Sequence, residues 1–270
     1  MTSALEPRGA EHRNSRRGLP AAGRAAAIVI AAALSLGSLS LPARAGTGTA
    51  VDGATATGPD AVVVGKSIRV SGTGWIAPDA AGGGGSVIGV KLDDSVLTPK
   101  TPPVNPVDSQ PNTRVWAVVQ AKADGSWQVD LPFPTTANTA PASGFVAENW
   151  VAGTTHNVRL LTGSLKPNDT IRSVSLPFTV TLPSLTGSTP KISGTAKVGK
   201  TLTAKPGSWT KGTTLTYQWL AGGVVIDGQT GKTLKLAAEQ KGTTIKVKVT
   251  GSKAGYATVA KTSKATKKVK

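Results

Sequence analysis

Short runs of alternating apolar and polar residues fill most of the chain downstream of residue 60. Alternation over four to eight residues is typical of β-strands that bury one face against a core. Residues 245–249 give the clearest case, because Lys246 and Lys248 alternate with apolar neighbours. No segment downstream of residue 45 has the 3.6-residue period of an amphipathic helix. The pattern therefore predicts an all-β protein.

Turn residues punctuate these runs. Asp124-Gly125 separates residues 115–119 from residues 127–131, and this dipeptide predicts a hairpin between them. Five prolines between residues 98 and 111 exclude a central strand there. Beyond residue 190 the strand-like runs recur about every ten residues, a spacing that favours a sandwich or barrel.

The chain also contains an internal echo. The pentapeptide Val64-Gly65-Lys66-Ser67-Ile68 precedes Trp75, and a similar pentapeptide that begins at Val198 precedes Trp209, with every position offset by 134. Two related sandwich units would produce this echo, and chance is the alternative because valine, glycine and threonine are abundant. We expect two β-sandwich domains in tandem: residues 60–182 with Gly/Pro-rich loops, a linker at 183–190, and residues 191–265.

The two ends of the chain are expected to lie outside these domains. Residues 1–45 have the features of a cleaved signal peptide: a basic start, an apolar stretch at 25–41 and the small-x-small pattern Ala43-Arg44-Ala45. Arg16-Arg17 leaves both the general secretory route and the twin-arginine route open. Residues 46–59 have few apolar side chains and are expected to be a flexible leader, and residues 266–270 a basic tail. No later apolar stretch reaches membrane length, so we expect no integral membrane span after cleavage.

Charge is concentrated near the C-terminus. Of the formal net charge of +17, residues 191–270 carry +14, from sixteen lysines and two acids. Such a local excess of positive charge indicates either an anionic partner or a surface that only keeps the protein soluble. Because an ammonium group is a point charge and arginine forks are missing from this region, loose attachment to a polymer is favoured over sequence-specific binding of nucleic acid. The candidate polymer-binding residues are Lys232, Lys235, Lys246, Lys248, Lys261, Lys264, Lys267 and Lys268.

The C-terminal region contains five short motifs of strand and turn residues: Gly199-Lys200-Thr201-Leu202, Gly207-Ser208-Trp209, Tyr217-Gln218-Trp219, Gly231-Lys232-Thr233-Leu234 and Gly255-Tyr256. In these motifs it resembles a bacterial immunoglobulin-like module. Such modules occur in secreted and cell-surface proteins of actinobacteria, where they serve as spacers, adhesive units or wall-association units, so the resemblance implies fold more than function. It also implies that Trp219 packs into the core and that Tyr256 closes the last strands. Residues 60–182 resemble domains of actinobacterial envelope proteins only loosely.

The chemical inventory offers little for catalysis. The chain has no cysteine, and His156 is its one histidine downstream of the predicted signal. No phosphate-binding loop, dinucleotide fingerprint or nucleophile elbow is present. We expect His156 to be structural, Asp93-Asp94 to form a surface turn rather than a calcium site, and no metal or cofactor to bind.

The sequence thus predicts a secreted, non-enzymatic protein of the cell envelope, with an anionic wall polymer, a surface glycan or another envelope protein as its partner. It would be extracellular, with the cell wall as its site of association. One alternative is a carbohydrate-binding protein that stacks sugars on exposed tryptophans of the first domain. Another is an enzyme of unrecognised type in residues 60–182.

Overall fold

A computed structural model describes residues 45–78, 84–94 and 97–270. The predicted signal peptide therefore lies outside the described residues except for Ala45. The described chain consists of strands, turns and three single-turn 3-10 helices, at Pro141–Ser143, Ala147–Asn149 and Ala238–Gln240. The all-β prediction is confirmed.

The first half of the chain forms two sheets and a small two-stranded ribbon. One sheet has the order β1-β2-β4-β9, and the other has the order β3-β11-β10-β7-β8. All pairings within them are antiparallel except that of β3 with β11. The strands are β1 (Ala45–Thr49), β2 (Thr55–Pro59), β3 (Ala61–Val63), β4 (Ile68–Thr73), β5 (Ile76–Ala77), β6 (Gly84–Gly85), β7 (Val87–Leu92), β8 (Ala117–Gln120), β9 (Trp127–Leu131), β10 (Thr155–Leu161) and β11 (Ser173–Thr181), of which β5 and β6 form the ribbon.

The second half forms a three-stranded and a four-stranded sheet. Their orders are β12-β13-β16 and β15-β14-β17-β18, and every pairing is antiparallel. The strands are β12 (Lys191–Ser193), β13 (Thr201–Lys205), β14 (Thr214–Ala221), β15 (Val224–Val225), β16 (Thr233–Lys235), β17 (Ile245–Ser252) and β18 (Val259–Thr262).

The two halves share one strand order. In the first, β2-β4-β9 lies in one sheet and β8-β7-β10-β11 in the other; in the second, β12-β13-β16 and β15-β14-β17-β18 repeat that arrangement. The first half adds β1 and β3 at sheet edges. Each half has its own cluster of buried side chains, so we refer to them as the first and second sandwich.

The sequence echo marks the same turn in both sandwiches. Gly65 and Gly199 have φ values of +75° and +82°, in the left-handed region that favours glycine. Each turn leads into a strand whose first apolar side chain, Ile68 or Leu202, is fully buried. Both copies of the echo therefore form the same local structure, a glycine turn followed by a strand of the core.

The segment 46–59 is not a flexible leader, and this prediction was wrong. It forms β1 and β2, which pair with each other and, through β2, with β4. Its small residues serve close packing: a Cβ added to Gly48 would lie 2.4 Å from a methyl carbon of Val174. Low apolar content was misleading because glycine and alanine here bring backbone against the core, as buried Ala56 shows.

The Asp124-Gly125 turn forms, but not as part of a hairpin. Gly125 has a φ of +77°, and its N–H donates to Lys122 O. However, β8 pairs with β7 in one sheet and β9 with β4 in the other. The chain therefore passes from one sheet to the other at this turn. Trp127, at the start of β9, packs edge-to-face against Trp75 in the core, with ring centroids 5.5 Å apart.

The C-terminal residues 266–270 are not a free tail, contrary to expectation. Val269 is buried, and its N–H donates to Thr243 O. Lys270 donates to Ala196 O and accepts from Val198 N–H. The single valine among lysines anchors this segment to the second sandwich.

The predicted linker also packs against the second sandwich. Leu185 is buried, Thr186 O accepts from Thr210 N–H, and Gly187 lies against the Trp209 ring, which a Cβ at that position would approach within 2.5 Å. Trp209 therefore holds the linker by packing against its backbone, which only glycine permits at this distance.

Candidate functional site

The eight candidate lysines do not share one face. Lys246 and Lys248 lie on the outer face of the four-stranded sheet, because they alternate with buried Ile245, Val247 and Val249. Lys235 lies on the outer face of the three-stranded sheet, next to buried Leu234. Since the buried cluster separates the two sheets, these outer faces point in opposite directions.

The other candidates lie at edges and turns. Lys261 lies opposite buried Val249 in the ladder, on the edge strand β18, and so occupies a position on the inner face of the sheet. Its side chain is nevertheless exposed. Lys232 precedes β16, and Lys264, Lys267 and Lys268 lie on the C-terminal segment; all four are exposed. The lysine set is thus distributed around the second sandwich.

Sequence reasoning missed Lys191 and Lys205. These two exposed residues face each other across β12 and β13 in the β-ladder. Like charges directly opposite each other on a sheet are destabilising, so this pair favours an anion nearby. No sequence signal identifies the pair, because the register between two short strands brings it together.

The charges of the second sandwich are not neutralised internally. No lysine of residues 191–270 forms a salt bridge with another residue in the part of the chain that the structure describes. Lys253 instead donates to Lys211 O and lies 4.6 Å from the Tyr256 ring centroid. The ammonium groups can therefore attract anions without first breaking an ion pair of this sandwich.

A cleft opens at the free edge of β12, where the C-terminal segment passes. It has a volume of about 430 Å³. Pro190, Ile192 and Ala265 provide apolar walls, and Lys191 and Lys264 contribute ammonium groups. The cleft therefore combines an apolar surface with positive charge.

The first sandwich, in contrast, contains a hydrogen-bonded ionic cluster around Arg172. Its guanidinium donates from Nε to Asp52 Oδ2 over 2.8 Å, from Nη1 to Ser86 Oγ over 2.7 Å and from Nη2 to Ile76 O over 2.8 Å. The fully buried Asp169 carboxylate accepts from Ser86 Oγ and Val87 N–H. Because its polar groups are hydrogen-bonded to one another, this cluster stabilises loops rather than offering a binding site.

The cluster predicts a pH-dependent effect of Asp52→Asn. The hydrogen bond from Arg172 holds the pKa of the Asp52 carboxyl below its usual range, despite an opposing effect of burial. Such a group stabilises the fold above its unfolded pKa of about 3.9, and this contribution is lost as pH falls through the lower folded-state pKa. The variant should therefore unfold at lower urea concentration than the parent at about pH 7, with the difference shrinking below about pH 4. An equal difference at every pH would contradict the assignment.

His156 lies in a second polar cluster, at the start of β10. Its Nδ1 is 2.5 Å from Asp93 Oδ2, and its Nε2 is 2.8 Å from Thr154 Oγ1. The Thr154 hydroxyl is also 2.7 Å from Val151 O, and Asp93 Oδ1 accepts from Asn157 N–H. The Trp150 ring stacks on the imidazole with centroids 3.8 Å apart.

A hydroxyl, an imidazole and a carboxylate in this order also occur in hydrolases. Here the Thr154 hydroxyl has one proton and donates it to Val151 O over 2.7 Å, whereas an activated nucleophile donates its proton to the imidazole. Trp150 covers the ring, whose side chain is 6% exposed. The geometry fits a clamp between the Asp93 turn and β10.

The tryptophans of the first sandwich are core residues. Trp75, Trp116, Trp127 and Trp150 are each at most 5% exposed, so none presents a ring face to solvent. The alternative of sugar stacking therefore has no exposed tryptophan in the first sandwich to rely on. Trp219 is fully buried, as the resemblance implied, and Trp209 is partly buried.

Comparison with known proteins adds no further assignment. No family model, curated protein or solved structure matches this chain. Among the described residues, no three histidine, cysteine or carboxylate side chains cluster as a metal site would require. No helix in the described ranges is long and apolar enough to cross a membrane.

Proposed function

We propose that this chain is an exported, non-enzymatic protein of the bacterial envelope whose second sandwich binds an anionic wall polymer by electrostatic attraction. The observation that carries the proposal is the lysine surface of residues 191–270, whose ammonium groups have no carboxylate partner among the described residues. A surface of this kind attracts polyanions at long range. The lysines are distributed over both faces of the sandwich. A flexible polymer can wrap around both faces, whereas a flat, rigid partner can contact only one, so the distribution favours the polymer.

Strand order supports an immunoglobulin-like assignment for both sandwiches. Immunoglobulin domains place strands A, B and E in one sheet and strands C, F and G in the other, with C′ beside C in some types. The orders β12-β13-β16 and β15-β14-β17-β18 match A-B-E and C′-C-F-G. In the first sandwich, β2-β4-β9 and β8-β7-β10-β11 correspond to the same strands. One fold can host many unrelated functions, so the proposed role in attachment rests on the lysine surface and not on the strand order.

Cosedimentation with Gram-positive cell walls tests the proposed function. We expect the purified chain to bind intact walls at low salt and to lose at least about tenfold in apparent affinity between about 50 and 500 mM salt, because ions screen the lysines and compete for the polymer. Walls stripped of their anionic polymers should bind little.

Two outcomes would contradict the proposal. Binding that survives both high salt and removal of the polymers would indicate recognition of a neutral glycan. If no binding occurs at low salt, the lysine surface serves solubility alone. Albumin in place of the chain controls for non-specific trapping in the wall pellet.

A further inference from the structure

The cleft beside β12 is a concave site within the lysine surface. Lys191 contributes both to the cleft and to the outer face of the three-stranded sheet, where Lys205 faces it across the ladder. Lys264 reaches the cleft from the C-terminal segment. Two exposed lysines, Lys191 and Lys264, therefore line the cleft, and a third, Lys205, lies opposite Lys191 on the adjacent strand.

No carboxylate offsets these charges within the second sandwich. Asp227 and Glu239 are the acidic residues of that sandwich, and neither lines the cleft. A bound anion would relieve the repulsion between Lys191 and Lys205, so binding there gains more than at an isolated lysine.

The site also offers hydroxyl groups to a ligand that has polar atoms along its length. Ser193, Thr203 and Thr233 form one row across β12, β13 and β16, with all three side chains on the outer face. This row lies two residues from the Lys191–Lys205 pair, roughly 7 Å along the strands. A ligand that extends from the cleft across the outer face of the three-stranded sheet would contact the ammonium groups first and the hydroxyl groups next.

The chemistry of the site favours a phosphate ester. Ammonium groups bind phosphate oxygens as point charges, and lysines supply all the basic side chains of residues 191–270, which contain no arginine. The apolar walls at Pro190, Ile192 and Ala265 suit the carbon face of a polyol or sugar. A volume of about 430 Å³ has room for such a unit.

We propose that the cleft between β12 and the C-terminal segment binds a phosphate-bearing polyol or sugar unit of the anionic polymer, held by Lys191, Lys205 and Lys264. This inference rests on the proposed function and makes it more specific. The polymer attaches through a defined site on the second sandwich, and the remaining lysines attract it at longer range.

Charge-matched variants of the full chain test the site. The triple variant Lys191→Gln/Lys205→Gln/Lys264→Gln removes the cleft charges, and Lys200→Gln/Lys211→Gln/Lys241→Gln removes the same net charge from exposed turn positions. Immobilised poly(glycerol phosphate) serves as the probe, with polygalacturonate as a carboxylate polymer for comparison. Thermal denaturation verifies that both variants keep the parent's fold.

We expect the cleft variant to bind poly(glycerol phosphate) about tenfold more weakly or worse. Its logarithmic salt slope should fall by about two to three, roughly one for each phosphate group that no longer has an ammonium partner. The turn variant should bind less than about threefold more weakly, because its charges act only at long range. The parent should prefer the phosphate polymer to polygalacturonate.

Four results would overturn the assignment in distinguishable ways. Equal reductions in the two triple variants would mean diffuse attraction and would leave the proposed function standing. A larger reduction from Lys246→Gln/Lys248→Gln would place the ligand on the four-stranded sheet. Equal binding of both polymers would remove the phosphate preference. Failure of the parent to bind either polymer would instead end the proposed function as well.

Discussion

Replacement of Arg172 by methionine should lower the free energy of unfolding of the first sandwich by about 3–5 kcal/mol. Arg172 is 2% exposed, and the Asp169 side chain beside it is fully buried. Methionine fills a similar volume but leaves a buried carboxylate without its cation, and it also leaves Ile76 O without its donor. The cost is therefore mainly that of an uncompensated buried charge, and the reduced packing area of the side chain contributes less.

Urea denaturation measures this destabilisation, and hydrogen exchange locates it. We expect faster exchange in residues 84–92 and 155–181, which pack around the cluster. Arg69→Met is the matched control, because Arg69 pairs with Asp130 on an exposed sheet face and solvent screens that pair. If the two substitutions had similar effects, the buried cluster would not stabilise the fold as argued.

Replacement of Trp219 by alanine should destabilise the second sandwich by about 3–5 kcal/mol. Trp219 is fully buried at the centre of β14, and its Nε1–H donates to Gly231 O over 2.9 Å. The substitution opens a large cavity and removes the donor of a backbone carbonyl. The chain has no cysteine, so no disulfide reduces this loss of stability.

The effect should remain within residues 191–270, because the two sandwiches have separate buried clusters. Hydrogen exchange should show reduced protection in β14 and β17 and unchanged protection in β10 and β11. Val224→Ala on the same sheet is the control; Val224 is 72% exposed, so we expect a change within about 0.5 kcal/mol. Reduced protection throughout the chain would show instead that the sandwiches unfold as one unit.

Alternation of side chains predicted the strands that have large apolar residues, such as β9 and β17. It missed β1 and β2, because their packing depends on the absence of side chains: Gly48 and Gly58 lie against Val174 and Leu176. Composition counts such residues as flexible, whereas the core uses them for close approach. Val269 was missed for a related reason, since one apolar residue among lysines has no period.

The sequence likewise predicts only part of the candidate site. The outward positions of Lys246 and Lys248 follow from the period of a strand, so sequence alone placed them correctly relative to β17. The Lys191–Lys205 pair depends on the register of β12 against β13, and the cleft depends on where the C-terminal segment passes. Both are long-range relations, which no local pattern encodes.

The anchored C-terminal segment affects the resistance of the second sandwich to proteolysis. A protease that cuts after lysine needs several residues of extended, detached chain in its active site, and the second sandwich offers sixteen lysines. Around Lys267 and Lys268 the backbone is held by the bonds of Val269 and Lys270 to Thr243 and Ala196. Digestion there requires Val269 to leave the core first, so the lifetime of these lysines under proteolysis follows the local opening free energy of the segment rather than the number of cleavable bonds.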